Sequence, residues 1–259
     1  MTPAAAAALM RTLQPVSLEE VERRASLQRR SDTKYIVSSE ILATLVERLR
    51  TTHDVLEVGG RVSSSYRTVY FDTAELATYR AHVQGRRKRY KVRARHYIED
   101  DLCLFEVKLK DGRGGTVKQR VGHEVARIAE PLQAFVADCV LGAYGAAAED
   151  RLLPTLVSDY RRMTLVARSG AERVTCDFDL GFEAPGGQTG WLREGFVIVE
   201  CKSVRANGVV EGLLRSLGTR PVRCSKYCLG VGLTREVPLN SDLRRLARTH
   251  FGRAPAPAC

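Results

Sequence analysis

Lysine is scarce in this chain although positive charge is not. Of 41 basic residues only eight are Lys, at positions 34, 88, 91, 108, 110, 118, 202 and 226, and the other 33 are Arg. Long apolar runs are missing too. Nothing approaches the roughly 18 residues of a membrane-spanning helix, so a soluble chain is expected. Residues 1–10 carry an Ala run without a basic leading region, which argues against a secretory signal. The seven Cys include no Cys-x-x-Cys pair and no Cys/His zinc spacing, so reduced thiols in a cytoplasmic protein are expected. Aromatic residues make up only 7% of the chain, with Trp191 the one Trp, too few to favour a base-stacking surface. The His at 53, 82, 96, 123 and 250 lack ligand spacing. No Walker Lys-Ser/Thr follows Gly112-Arg113-Gly114-Gly115, and no Ser or Cys stands in a nucleophile elbow. Zinc chemistry, a P-loop and triad catalysis therefore find no support.

What the chain does have is strict alternation of apolar and ionised residues. In 90–97, Lys91, Arg93 and Arg95 oppose Val92 and Ala94; in 103–110, Glu106, Lys108 and Lys110 oppose Cys103, Phe105, Val107 and Leu109. Residues 116–121 add Lys118 and Arg120. Residues 173–180 set Arg173, Asp177 and Asp179 against Val174, Cys176, Phe178 and Leu180, and 196–203 place Glu200 and Lys202 together. Side chains alternate across a strand, so these are β-strands with one greasy and one charged face. Six of the eight Lys (34, 91, 108, 110, 118 and 202) fall on such segments, where a compact ammonium beside Arg forks suits phosphate.

The order of elements follows from the same patterns. Residues 1–16 read as disordered or loosely docked. Helices are expected at 17–27, at 38–49 with Ser38 or Ser39 as cap, at 75–83, at 131–141, at 209–217 and at 241–251. Strands are expected at 34–37, 66–72, 90–98, 102–110, 116–121, 155–167, 172–180 and 195–203, with Asp111–Gly115 as a hairpin loop and 142–149 as a linker. Strands joined mostly by hairpins predict an α+β fold, an antiparallel β-barrel of about eight strands flanked by helices.

A charged strand face ordinarily meets water, and pairs such as Glu106/Lys108 or Glu200/Lys202 are ordinary on a surface. Recurrence counts against that reading. Lys91, Arg93 and Arg95 stand in one unrelieved row, and like charges side by side repel unless an anion neutralises them. Nucleic acid could do so from outside, a phosphate chain from inside a barrel. The net charge of +11 suits either.

Eight short motifs in order resemble one family: Arg30-Ser31-Asp32-Thr33-Lys34-Tyr35, Val69-Tyr70-Phe71-Asp72-Thr73, Val92-Arg93-Ala94-Arg95, Phe105-Glu106-Val107-Lys108, Val117-Lys118-Gln119-Arg120, Asp177-Phe178-Asp179, Val199-Glu200-Cys201-Lys202 and Ser225-Lys226-Tyr227. Together they resemble the VTC domain of the triphosphate tunnel metalloenzyme superfamily. The resemblance implies a tunnel domain over 29–235, an N-terminal extension and helix over 1–28, and a C-terminal helix and tail over 236–259. It implies a barrel interior that binds ATP and polyphosphate with Mn²⁺ or Mg²⁺. Arg93, Arg95, Lys108, Lys202 and Lys226 would be catalytic, and Lys34, Lys118, Arg120, Arg162, Arg173 and Arg223 would bind phosphates. Glu200 would be the leading metal ligand, with Glu106, Asp177 and Asp179 beside it. The superfamily's Glu-x-Glu-x-Lys is reduced here to Asp32-x-Lys34, which removes one carboxylate and argues against two-metal triphosphatase chemistry.

The expected reaction is polyphosphate synthesis from the ATP γ-phosphate. A tri- or polyphosphate hydrolase is the enzymatic alternative, and a non-catalytic polyphosphate- or RNA-binding module the other. Carboxylates kept among the cations speak against a pure anion binder. No stable nucleic-acid partner is expected, and coupling to a membrane would need a separate partner.

Overall fold

The computed structural model describes residues 3–25, 31–110, 115–149, 151–204 and 208–254. In chain order these begin with α1 (Pro3–Met10), β1 (Gln14–Val16), α2 (Leu18–Arg24), β2 (Ser31–Ser38), α3 (Ser39–Leu49) and β3 (His53–Leu56). Next come β4 (Ser64–Asp72), α4 (Ala77–Val83), β5 (Arg89–Tyr97), β6 (Leu102–Lys110), β7 (Thr116–His123) and α5 (Gln133–Tyr144). They continue with β8 (Leu153–Ala167), β9 (Glu172–Glu183), β10 (Thr189–Leu192), β11 (Phe196–Ser203) and α6 (Val209–Ser216). The chain closes with α7 (Lys226–Thr234), α8 (Ser241–His250) and β12 (Phe251–Arg253). The result is a mixed α+β fold with a large, mainly antiparallel sheet. Among the described residues, no helix is long and apolar enough to cross a membrane.

The chain forms two compact units interleaved in sequence. One comprises 1–64, 160–180 and 192–223, the other 65–159, 181–191 and 224–259. In the first unit, β11 pairs antiparallel with both β2 and β9, and β3 pairs with β1 and β8. The apolar faces of these strands (Tyr35, Val37, Val174, Cys176, Val197, Val199, Cys201) pack on Leu42, Leu45, Val46 and Leu49 of α3 and on Val210 and Leu214 of α6. Ser38 caps α3 by accepting from the Ile41 N–H, at the start of the apolar stripe that the sequence showed.

The expectation of a disordered or loosely docked N-terminus is corrected. Residues 3–10 form α1, and Ala6, Met10 and Leu13 are fully or nearly fully buried in this core. An Ala-rich helix has no polar face to contrast with its apolar one, so periodicity could not reveal it. The hairpin loop expected at Asp111–Gly115 falls almost entirely outside the described residues, as does the Gly112-Arg113-Gly114 stretch.

In the second unit, β4, β5, β6 and β7 form an antiparallel run. Its apolar face (Val69, Phe71, Val92, Ala94, Phe105, Val107, Leu109) is covered by Val136, Cys139 and Val140 of α5. Helix α7 was not foreseen, for every residue from Tyr227 to Thr234 is buried and no amphipathic stripe exists. Its glycines answer to packing. A Cβ on Gly230 would stand 2.6 Å from Phe182 and closer still to Leu156, and one on Gly232 would collide with Leu239.

Candidate functional site

The strand registers set the charged residues in rows. In the second unit Arg93, Glu106 and Arg120 lie directly opposite one another on β5, β6 and β7, and Lys91, Lys108 and Lys118 form the next row on the same face. Five cations therefore surround one carboxylate. Glu106 is 1% exposed, with Arg93 Nε at 2.6 Å and Nη2 at 2.5 Å from Oε2, and Lys118 Nζ at 3.0 Å from Oε1. Burial alone would raise its pKa, yet Arg93, Arg95 and Lys118 together hold it well below the usual carboxylate range. Lys108 and Arg120 are exposed. Arg95 is buried, donates from Nε to Thr68 Oγ1 at 3.3 Å and lies 5.5 Å from the Tyr66 ring centroid.

Helix α7 completes this unit's charged set. Lys91 Nζ donates to Ser225 Oγ at 2.8 Å, and Ser225 also caps α7 by accepting from the Cys228 N–H. Lys226, half-buried, is the first residue of the helix. Tyr227 donates its phenol O–H to Asp72 Oδ2. Asp72 is fully buried at the end of β4. It accepts further from the Thr73, Thr78 and Tyr79 N–H groups at 2.8, 2.9 and 2.8 Å and from Thr78 Oγ1 at 2.8 Å. One carboxylate thus ties β4, the start of α4 and the first turn of α7.

In the first unit, Lys34, Glu200 and Thr175 share one register level of β2, β11 and β9, and Asp32, Lys202 and Arg173 share the next on that face. Glu200 Oε1 is 3.0 Å from Lys202 Nζ and 3.6 Å from Lys34 Nζ. Burial would raise the Glu200 pKa, but Lys202, Lys34 and Arg162 hold it well below the usual range. Burial pushes Lys202 down to about 8, against the pull of Glu200 in the other direction. Arg162 grips Asp177 with both prongs, Nε to Oδ1 at 2.6 Å and Nη2 to Oδ2 at 2.9 Å.

The structure therefore brings Glu106, Arg93, Arg95, Lys118, Lys108 and Arg120 into one set, and Glu200, Lys202, Lys34, Arg162, Asp177 and Arg173 into another. Asp179 is exposed, with φ +50° inside β9, and no described contact joins it to Asp177 or Arg162. Arg223 is exposed just ahead of α7, and no described hydrogen bond or ion pair links it to Glu200 or Lys202. Among the described residues, no group of three or more His, Cys, Asp or Glu is arranged to hold a metal ion.

Sequence reasoning gave no role to Asp72, Tyr227 or His82. Asp72 and Tyr227 stood inside quoted motifs, but a contact 155 positions long has no local signature. His82 Nδ1 lies 2.8 Å from Thr78 O, so the imidazole donates there. Burial, then Lys91, Arg89 and Lys108, push its pKa down to about 2, which marks a neutral ring beside the lysine row.

The chain belongs to the VTC domain family, whose profile it matches over residues 29–235. Among solved structures it is similar to HpAC1 from Hippeastrum, described with a dominant triphosphatase activity, at 17% identity and TM-score 0.46 over 78% of this chain and 94% of that one. It is also similar to the PH1819 protein from Pyrococcus horikoshii OT3, at 14% identity and TM-score 0.44 over 77% and 97%. The PH1012 protein of the same organism follows at 12% identity and TM-score 0.40 over 73% and 90%. No curated protein matches the chain.

Proposed function

We propose that this protein transfers phosphoryl groups inside a basic tunnel, and that its reaction is polyphosphate synthesis from the γ-phosphate of ATP. In this reading 29–235 is the tunnel domain and its sheet closes into a barrel whose interior carries the charged strand faces. The carrying observation is the surplus of cations around Glu106 and Glu200. Glu106 alone cannot neutralise Lys91, Arg93, Arg95, Lys108, Lys118 and Arg120, and a lengthening phosphate chain brings another negative charge with every phosphate.

Phosphoryl transfer asks a protein for alignment and charge neutralisation more than for covalent chemistry. An oxygen of the chain's terminal phosphate attacks the γ-phosphorus. The bond from that phosphorus to the β,γ-bridging oxygen breaks, and its electron pair leaves on ADP. Arg93, Arg95, Lys108, Lys202 and Lys226 spread the charge of the transferring group. Lys34, Lys118, Arg120, Arg162, Arg173 and Arg223 hold the chain on either side. No general base is required, because the phosphate nucleophile is already ionised.

The donor set fits a hard divalent cation, Mg²⁺ or Mn²⁺. Such ions take one or two carboxylates and draw the rest of their shell from phosphates and water. Glu200, held anionic well below the usual carboxylate range, is the residue that would hold it. When bound, the ion supplies Lewis-acid polarisation of phosphoryl oxygens. Asp177, with both oxygens on Arg162, instead aims that guanidinium.

Incubation with ATP and Mn²⁺ should yield a phosphate polymer on a gel. ADP and free phosphate alone would mean hydrolysis, and tight binding that survives EDTA without turnover would mean a binding module. Glu200→Gln should abolish turnover while leaving the fold intact.

A further inference from the structure

Helix α8 lies beyond the matched family segment and buries Leu243 and Leu246. Its outer side exposes Ser241, Arg244, Arg245, Arg248 and Thr249, which line a shallow groove of ≈ 470 Å³. No carboxylate lines that groove, and the one acidic residue of the helix, Asp242, sits in its first turn. Asn240 already caps the helix by accepting from the Leu243 N–H, so the site is made of side chains. Arg244 Nη2 donates to Leu239 O at 3.2 Å, whereas no described hydrogen bond or ion pair engages the Arg245 or Arg248 guanidinium. Arg248 stands four residues after Arg244 and three after Arg245, the separations at which like charges on a helix repel. An unneutralised face of this kind costs stability unless an anion occupies it.

We propose that this face is a second phosphate-chain site, which holds a stretch of inorganic polyphosphate by its non-bridging oxygens. The guanidinium fork matches phosphate geometry, and the Ser241 hydroxyl adds a donor, whereas Thr249 Oγ1 already donates to Arg245 O at 2.9 Å. No aromatic side chain lines the groove, so nucleobases find no stacking platform there. The helix's leucines are committed to the protein core, so it lacks the free apolar face of a membrane-surface helix. Without a carboxylate the groove retains a chain without a metal and without turnover. The choice of ligand rests on the proposed reaction. A chain long enough to reach both sites is held at two points, which slows its escape and favours long products.

The test is fluorescence anisotropy of end-labelled long-chain polyphosphate against the full-length protein and its Arg244→Ala/Arg245→Ala/Arg248→Ala variant. At about 0.7 counterions per neutralised phosphate, losing three arginines should lower the slope of log affinity against log salt by about 2. Affinity at low salt should fall roughly tenfold or more. The corresponding triple Lys variant should retain most of the slope. Tripolyphosphate affinity and ATP turnover should stay at wild-type values, while products become shorter. An unchanged slope and affinity in the Ala variant would overturn the site. So would arginine-dependent binding that is tighter for single-stranded RNA or for phosphatidylserine vesicles. Should ATP yield no polymer while the slope still depends on these arginines, the reaction is wrong and the groove stands. Polymer formation with an unaltered slope removes the groove alone.

Discussion

Glu200→Gln should make phosphate binding sensitive to pH in a range where the native protein is indifferent. Lys202 Nζ lies 3.0 Å from the Glu200 carboxylate, and burial has already pushed this ammonium down to about 8. Glu200 is the largest influence keeping it charged, and Arg162 works against it. An opposite charge at such range shifts a titration by about 1–3 units, so in the variant Lys202 should titrate near about 5–7. Near neutral pH it would then be largely uncharged, and an incoming phosphate would have to bring a proton with it. Affinity for tripolyphosphate should therefore rise up to about tenfold for each pH unit descended toward that range. The wild type should show the same linkage only above about 8.

Calorimetric titrations in EDTA, in buffers of different ionisation enthalpy, count the protons taken up. Expressing variant and wild type as a ratio cancels the titration of the ligand itself. Parallel profiles with no extra proton uptake in the variant would refute the reasoning, because Glu200 would then not be what keeps Lys202 charged.

Two further outcomes concern the second unit. Glu106→Gln removes the carboxylate that Arg93 and Lys118 contact and should cost about 3 kcal/mol, less if Lys118, which is partly solvated, swings away. Thermal melts should show a loss of several degrees that added tripolyphosphate partly restores, and an unchanged midpoint would contradict the pairing. The carboxyl is held below its ordinary 4.5 in the folded chain, so its contribution is complete above that value and drains away as pH falls beneath it. Urea titrations of wild type and variant should accordingly converge in acid. Tyr227→Phe removes one of five donors to Asp72 and should cost about 1–2 kcal/mol, with Asp72→Asn costing more because its new N–H₂ would confront backbone donors. Equal stability of all three proteins by denaturant unfolding would remove Asp72 as an organising group.

Strand faces were readable from sequence because the period of two decides them without knowledge of neighbours. Lys91, Arg93 and Arg95 share a face, as do Glu106 and Lys108, and β11 was bounded to within one residue. Which strands lie side by side was not readable, so the Arg93–Glu106–Arg120 row emerged only from the register. Asp179 illustrates the limit within a strand: the pattern put it beside Asp177, but Asp177 is buried against Arg162 whereas Asp179 is exposed and has a left-handed backbone. Short strands such as β3 and β10 carried too few residues to show a period. Asp72 and Tyr227 stood in motifs that the eye could find, yet their partnership depends on packing that no local window contains. The burial of Ala6 and Met10 was hidden for a different reason, the uniformity of an Ala run.

The two glycines inside α7 have a consequence for engineering. Each weakens the helix by about 1 kcal/mol relative to Ala, so Lys226 rides on a segment with poor intrinsic persistence that its neighbours hold in shape. The usual remedy of filling such positions with alanine would drive methyl groups into Leu156, Phe182 and Leu239. Mutational scanning should find these chemically mute positions as intolerant as any ionised one, and attempts to stiffen this stretch will have to begin with the residues packed around it.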